Sequence, residues 1–313
     1  MKILHCCLAN FFIDNYGYQE NILPKIHKLQ GHDVCIVAST ETYIGNNKIG
    51  YLAPDSYFTA DGIPITRLPY LNILPHVLAR KLRVYTGLSK FLRAFQPEII
   101  FLHDVQFVSI WEIAKYAKKN KVKVIADSHT DLINSAKTWV SLNILHRIIY
   151  RSCAKIIEPY TMKFFGTLPI RVDFLKDIYG IPENKLDLLV LGADDTLYCD
   201  SDLETIRHRV RHELGIEEKD FVIISGGKID KRKNIHILLK AFQKIQGEKI
   251  KLILFGSITD DIKFEIEPLI SASRVIFLGW LNPRKVYDIL FSADLGFFPG
   301  THSVLWEQCV GIG

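Results

Sequence analysis

The 313 residues suffice for two domains of ordinary size, and their 48% hydrophobic and 23% charged content is that of a folded globular chain with no disordered tail. A net charge of +5 admits an acidic ligand or an anionic surface without demanding nucleic acid, and the basic residues are too spread to make an aromatic-basic platform for a single strand. No apolar run approaches the ~20 residues of a membrane span, and the six cysteines, with no C-x-x-C pair, read as reduced, buried thiols of a cytosolic protein.

In chain order, the apolar start Lys2–Ala9 is too short for a signal peptide and predicts a first strand. A loop to Tyr16, then Gly17, a helix over Glu20–Leu29 closed by Gly31, and a strand over Asp33–Ala38 complete one βαβ unit. It lacks G-x-G-x-x-G, which argues against a dinucleotide oxidoreductase. Residues 40–70 read as loops around a short strand, Ile63–Leu68. From Gly62 to Pro97 there is no Asp or Glu, while Arg67, Arg80, Lys81, Arg83, Lys90 and Arg93 occur. Segment 67–93 therefore reads either as core helix with a basic solvent face, since Leu88, Leu92 and Phe95 recur at helical spacing, or as a surface for anionic lipid.

Strands follow at Glu98–His103 and, after a helix over Trp111–Lys118, at Val122–Asp127. His103 and His129 both stand just past strand carboxyl ends, where open parallel sheets place ligands, although a lone histidine there is as readily structural. Ala154–Glu158 predicts another strand, Met162–Tyr179 one or two helices, and Asp187–Leu191 a closing strand. The domain boundary is placed near Thr196–Asp202, giving domains of 1–197 and 198–313.

The second half begins with a helix over Leu203–Leu214. Phe221–Ile224 is a buried strand, followed by Gly226-Gly227-Lys228, the cluster Lys231-Arg232-Lys233, and a helix carrying Ile235, Leu238, Leu239 and Phe242 on one face. Glycines admit a ligand to the backbone and fixed cations neutralise an anion, so this turn is either an anion site or a solvated basic turn. Strands at Lys251–Phe255, Val275–Leu278 and Asp294–Phe298 and a helix over Pro283–Phe291 precede a loop entering a final helix. There, free N–H groups near Ser303 and Val304 face an anion with the helix dipole behind them. Glu307, one turn in, can accept from the paired hydroxyls of a ribose or simply complement the dipole.

Three stretches together resemble the glycosyltransferases of the GT-B fold, in particular the retaining family 4. They are Gly227-Lys228 with Lys233-Asn234; Gly192-Ala193-Asp194-Asp195; and the run from Leu278-Gly279 through Asp294, Phe298-Pro299 and Glu307 to Gly311. The resemblance implies an α/β chain of two Rossmann-like domains facing across a cleft, the second incomplete because the sequence stops at Gly313 inside a helix. It implies that Lys228, standing where arginine is usual, and Lys233 hold a nucleotide-sugar diphosphate, with Gly227, Ser303 and Val304 beside it and Glu307 on the ribose. It further implies that His129 contacts the donor sugar, Gly17 makes room at the first turn, and His103 lines the acceptor side.

The same resemblance implies retention of configuration, no cofactor and no metal, and a glycan or lipid-linked acceptor in surface polysaccharide assembly. The protein would then work in the cytoplasm, with 67–93 against the inner face of the membrane. Asp200-Ser201-Asp202 has the D-x-D form of the other major glycosyltransferase fold's metal signature, but immediately before a polar helix it reads as an N-cap. Two departures stand out. Pro299 replaces the first glutamate of the family's E-x7-E motif, and His302 and Ser303 occupy that region. This leaves two rivals: a non-catalytic nucleotide-sugar-binding or partner protein, and a sugar-nucleotide epimerase built on the same phosphate-holding parts.

Overall fold

The opening apolar run forms β1, Lys2–Cys7, whose alternate side chains feed two different cores: Leu4 and Cys6 join one cluster, Cys7 the other. A strand buried on both faces must belong to a parallel sheet covered by helices on each side. The computed structural model describes residues 1–44, 48–199 and 201–313. It divides into two units, Met1–Asp14 with Tyr18–Val190, and Asn15–Gly17 with Leu191–Gly313.

In the first unit α1 (Gln19–Leu29) returns the chain to β2 (Asp33–Ser39), which lies parallel to β1. A small antiparallel hairpin, β3 (Glu41–Ile44) and β4 (Lys48–Tyr51), stands apart from the main sheet. The main sheet continues with β5 (Ser56–Phe58), β6 (Pro64–Leu68), β7 (Ile99–His103), β8 (Lys123–Ser128), β9 (Thr161–Gly166) and β10 (Leu186–Leu188). Its order is β10-β9-β8-β7-β1-β2-β6-β5, and of its pairings only β5 with β6 is antiparallel. From β1 the chain first builds outward through β2 and β6, then restarts on the other side with β7. The β1/β7 junction is therefore the switch point where such sheets open a crevice at their carboxyl ends.

The helices of this unit are α2 (His76–Leu82), α3 (Leu88–Phe95), α4 (Ile110–Asn120), α5 (Arg151–Ile157) and α6 (Pro169–Asp177). Leu88 and Leu92, one turn apart on α3, are fully buried, as their spacing predicts. Replacing either with alanine would cost about 2–5 kcal/mol. Three stretches differ from the sequence expectation. Glu41–Ile44, Lys48–Tyr51 and Ser56–Phe58, read as loops, are β3, β4 and β5. Of Ala154–Glu158, expected as a strand, residues 154–157 end α5, which continues a π-helical segment, Ser141–Tyr150, and Glu158 opens a 3-10 turn. Cys153, Ala154 and Ile157 are its buried positions, a helical spacing that so short a segment does not reveal. Residues 162–166, expected as helix, belong to β9, because Phe164 is buried in the sheet beside Ala126.

Segment 67–93 divides its cations. Arg67 does not face outward: its guanidinium is buried, donating to Asp14, the Tyr57 hydroxyl and the carbonyls of Ser39 and Phe12. Arg83 is partly buried and donates to the Gln106 carbonyl, whereas Lys81, Lys90 and Arg93 are exposed. Arg67 is thus lost to any membrane surface, because its buried guanidinium is paired with Asp14. Among the described residues no helix is long and apolar enough to cross a membrane.

The second unit holds β11 (Phe221–Ile229), β12 (Ile250–Ile258), β13 (Val275–Phe277) and β14 (Leu295–Gly296), all parallel, in the order β13-β12-β11-β14. Its helices are α7 (Leu203–Glu213), α8 (Ile235–Phe242), α9 (Lys263–Ile270), α10 (Pro283–Phe291) and α11 (Val304–Ile312). One core gathers Val222, Ile224, Ile253 and Phe255 with α7, α10 and α11; the other gathers Leu252 and Leu254 with α8 and α9. Here the switch point lies between β11 and β14. Asp202 caps α7, its carboxylate accepting from the Thr205 N–H and hydroxyl, as expected of an N-cap. The companion Asp200 lies outside the described residues. The six cysteines are free thiols, but Cys199 is exposed rather than buried, because it falls in the polar stretch before α7.

Candidate functional site

In the second unit, β11 runs further than the apolar residues predict, carrying Gly226, Gly227 and Lys228 in register with Phe255, Gly256 and Ser257. Gly227 has a φ of +101°, and a side chain there would crowd Leu305 of α11 at 3.3 Å. Asp230 then caps the turn Lys231–Lys233, accepting from the Arg232 N–H, and its second oxygen binds the Arg232 guanidinium. Arg232 is therefore already neutralised. Lys228 is exposed at the end of the strand.

The loop after β14 is fastened to this turn. The Lys233 ammonium donates to the carbonyls of Thr301 and His302, both at 2.7 Å, and Asn234 donates to the Pro299 carbonyl. Gly300 sits so close that a Cβ would stand 2.3 Å from the Lys233 Cα, so only glycine allows the approach. An ammonium has three donors, and two are used here; the third and the charge remain for an anion. Burial, with Arg232 adding to it and Asp230 opposing it, lowers the Lys233 pKa from 10.5 to about 8.

The loop leads to Ser303, the N-cap of α11, whose side chain makes no capping bond. The first N–H groups of the helix, from Val304 onward, thus meet the basic turn at the β11/β14 switch point. One turn in, Glu307 Oε1 lies 2.6 Å from His302 Nε2, while Oε2 is buried with no hydrogen-bond partner. An orphaned carboxylate oxygen in a native fold is costly unless a ligand donates to it. The sequence marks His302 as standing in the region of the missing glutamate, but not as the partner of Glu307. Gly17, grouped with this unit, has no positive φ, and a Cβ there would meet Gln308 and Pro283 only at ordinary contact distance. Neither crowding nor backbone conformation requires a glycine at that position.

In the first unit, β7 and β8 are paired so that His103 lies beside Asp127. His103 Nδ1 is 3.1 Å from Asp127 Oδ2, and its Nε2 is 3.0 Å from His5 Nδ1. With no exposed surface and both ring nitrogens engaged, His103 cannot line an acceptor site, contrary to expectation. The burial follows from its last position on a central strand. His129, two residues beyond Asp127, is partly exposed, and its Nε2 lies 3.6 Å from Asp127 Oδ2, an ion-pair distance. Burial would lower the His129 pKa, but Asp127 outweighs it and raises it to about 9. Asp104 accepts from the Thr130 hydroxyl, Gln106 and the His129 N–H, and Asp131 pairs with Arg171, so the loop is rigidly held. Asp127 was missed in the sequence because it reads as the polar end of an apolar strand.

Residues 207–307 match the family model described as Glycosyl transferases group 1. The chain is 24% identical over 216 residues to mannosylfructose-phosphate synthase of Agrobacterium fabrum, covering 63% of this chain and 42% of that protein. It is 22% identical over 276 residues to N-acetylgalactosamine-N,N'-diacetylbacillosaminyl-diphospho-undecaprenol 4-alpha-N-acetylgalactosaminyltransferase of Campylobacter jejuni, covering 84% and 68%. The chain thus spans less than half the length of the first of these relatives. Among solved structures, Anabaena Alr3699/HepE in complex with UDP-glucose superposes with a TM-score of 0.63 at 16% identity, over 99% of this chain and 78% of that one. WaaG, a glycosyltransferase involved in lipopolysaccharide biosynthesis, gives 0.65 at 12% identity, over the same shares. The fold is that of GT-B glycosyltransferases.

Proposed function

We propose, from the group 1 match over 207–307 and the GT-B fold, that this protein is a glycosyltransferase. It moves a sugar, with retention and without a metal, from a nucleoside diphosphate sugar to a glycan or lipid-linked acceptor. The observation that carries this reading is the unpartnered Oε2 of Glu307 beside the start of α11 and the Lys233 ammonium. A carboxylate oxygen lacking a donor suits a ribose hydroxyl, and the cation and helix start suit the diphosphate attached to it.

Lys228, Lys233 and the N–H groups at Ser303 and Val304 stabilise the charge that grows on the departing diphosphate. Such fixed donors cost no reorganisation during reaction and usually supply the largest share of catalysis. Gly227 lets the diphosphate approach the strand end, His129 contacts the sugar, and Gly17 makes room where the donor meets the acceptor. Retention, metal independence and surface polysaccharide assembly rest on the family resemblance, and cytoplasmic placement at the inner membrane face rests on the exposed Lys81, Lys90 and Arg93. The Campylobacter relative is named for a diphospho-undecaprenol acceptor, which supports a lipid-linked acceptor here.

The test is proton NMR of UDP- and GDP-sugars incubated with the protein and undecaprenyl-linked acceptors in EDTA. Release of the nucleoside diphosphate with a retained anomeric centre in the product is expected. Binding without turnover of any donor would instead identify a non-catalytic nucleotide-sugar-binding protein.

A further inference from the structure

The first unit holds a line of four hydrogen-bonded titratable groups. His27 on α1 is 2.9 Å (Nδ1) from His5 Nε2; His5 Nδ1 is 3.0 Å from His103 Nε2; His103 Nδ1 is 3.1 Å from Asp127 Oδ2. His5, His103 and Asp127 are buried to within 1%. The line therefore crosses the middle of the parallel sheet, from a helix on its face to the strand ends at the β1/β7 switch point. There it stops against His129, the one member beyond the strands and the one whose ring is partly exposed at that end.

The hydrogen bonds have one direction. An ionised carboxylate only accepts, so His103 Nδ1 carries a proton. With His103 neutral, its Nε2 accepts from His5 Nδ1–H, and His5 Nε2 in turn accepts from His27 Nδ1–H. Asp127 thus dictates the tautomer of three rings, the last of them two residues removed along the line. Each of the two inner rings has both nitrogens engaged, which leaves the remaining charge of Asp127 directed at His129.

We propose that Asp127 is a positioning residue that locks His27, His5 and His103 in a single Nδ1–H register and holds His129 at the strand ends as an imidazolium. The functional consequence rests on the reading above: a fixed cation meets the donor at the sugar, opposing negative charge without a metal. Burial keeps His5 neutral, its pKa well below the ordinary value, and burial with His32 lowers that of His27. The groups facing His129 are Asp127 from β8, Glu20 from α1 and Arg171 from α6; the two acids favour its charged form and Arg171 opposes it. Burial raises the pKa of Asp127, but the charge of His129 and the hydrogen bond from His103 outweigh it and hold it well below the carboxylate range.

The test is histidine-selective 15N NMR of the nucleotide-free chain as a function of pH, a readout that needs no donor, acceptor or turnover. The wild type is expected to show His5 and His103 as neutral Nδ1–H tautomers, and His129 protonated at neutral pH with a midpoint near 9. In Asp127→Asn, which keeps the shape and an acceptor for His103, the His129 midpoint falls to or below the ordinary 6.5. A wild-type His129 that titrates near 6.5, or His103 found as the Nε2–H tautomer, overturns the proposal even if Asp127→Asn does not fold. A folded Asp127→Asn with an unchanged His129 midpoint also overturns it. Because the readout is free of turnover, loss of the glycosyltransferase reading and loss of this proposal are separable.

Discussion

His302 Nε2 and Glu307 Oε1 lie 2.6 Å apart across the first turn of α11, leaving Glu307 Oε2 as the one oxygen of that carboxylate without a donor. The histidine fixes which oxygen is offered to a ligand. If that ligand is a ribose hydroxyl, Glu307→Ala should weaken UDP binding by about 1.5–3 kcal/mol, the range for hydrogen bonds to charged groups. Deoxy-UDP should bind the wild type correspondingly more weakly, and Glu307→Ala should no longer discriminate. Calorimetry with the four combinations checks the coupling. His302→Ala should cost less than Glu307→Ala, because it loosens the carboxylate without removing it.

Lys233 gives the donor site a pH dependence with a definite sign. Its pKa is lowered to about 8, so the free site loses its charge as pH rises through that value. An anion favours the ammonium, so affinity for UDP should fall above about pH 8 and binding there should take up a proton. Calorimetry in buffers of different ionisation enthalpy measures the uptake. Lys233→Ala should bind weakly and show neither the uptake nor the fall.

Gly300 packs on the backbone of Lys233, where a Cβ would stand 2.3 Å from Cα. Gly300→Ala should therefore push the 299–303 loop off the turn and cut nucleotide affinity roughly tenfold or more, as a misplaced binding group does. The loop lies outside both cores, so the melting temperature should change little. A thermal melt beside a titration distinguishes the two effects.

Asp294 accepts from the Val222 N–H at 2.7 Å and pairs with Arg207 and with Arg211, whose side chain is fully buried. Arg211 also donates to the carbonyls of Ser292, Glu217, Glu218 and Asp220. Asp294→Ala would leave that guanidinium buried without its counter-ion, a loss of about 3–5 kcal/mol. Denaturant unfolding should show a destabilisation of this size for the second unit. Asp294 has its pKa lowered: burial raises it, but the Val222 N–H and Arg207 outweigh burial. Its contribution is present above the ordinary carboxylate pKa of 3.8 and is lost as pH falls through the lower folded value.

Much of this was legible in the residues. Gly226-Gly227-Lys228, Lys233 and Glu307 stand at chain positions where strand ends and helix starts are marked by glycine and apolar spacing, and the second unit's sheet brings them to one switch point. His103 misled because a strand-end histidine looks the same whether it faces a ligand or a neighbouring strand. That distinction depends on pairing with β1 and β8, which only tertiary structure supplies. His5 was invisible for the same reason, being one polar residue within the apolar run Lys2–Cys7. Ala154–Glu158 failed as a strand because three apolar residues in five carry no decisive period, while the buried Cys153, Ala154 and Ile157 belong to a helix continuing from residue 141.

The most direct measurement is calorimetric titration of UDP and GDP into the chain in EDTA, with Glu307→Ala and Lys233→Ala titrated alongside. The account predicts that one of the two nucleotides binds without a divalent cation and that each substitution weakens it by more than about 1 kcal/mol. Binding that requires magnesium, or that survives both substitutions unchanged, would contradict it.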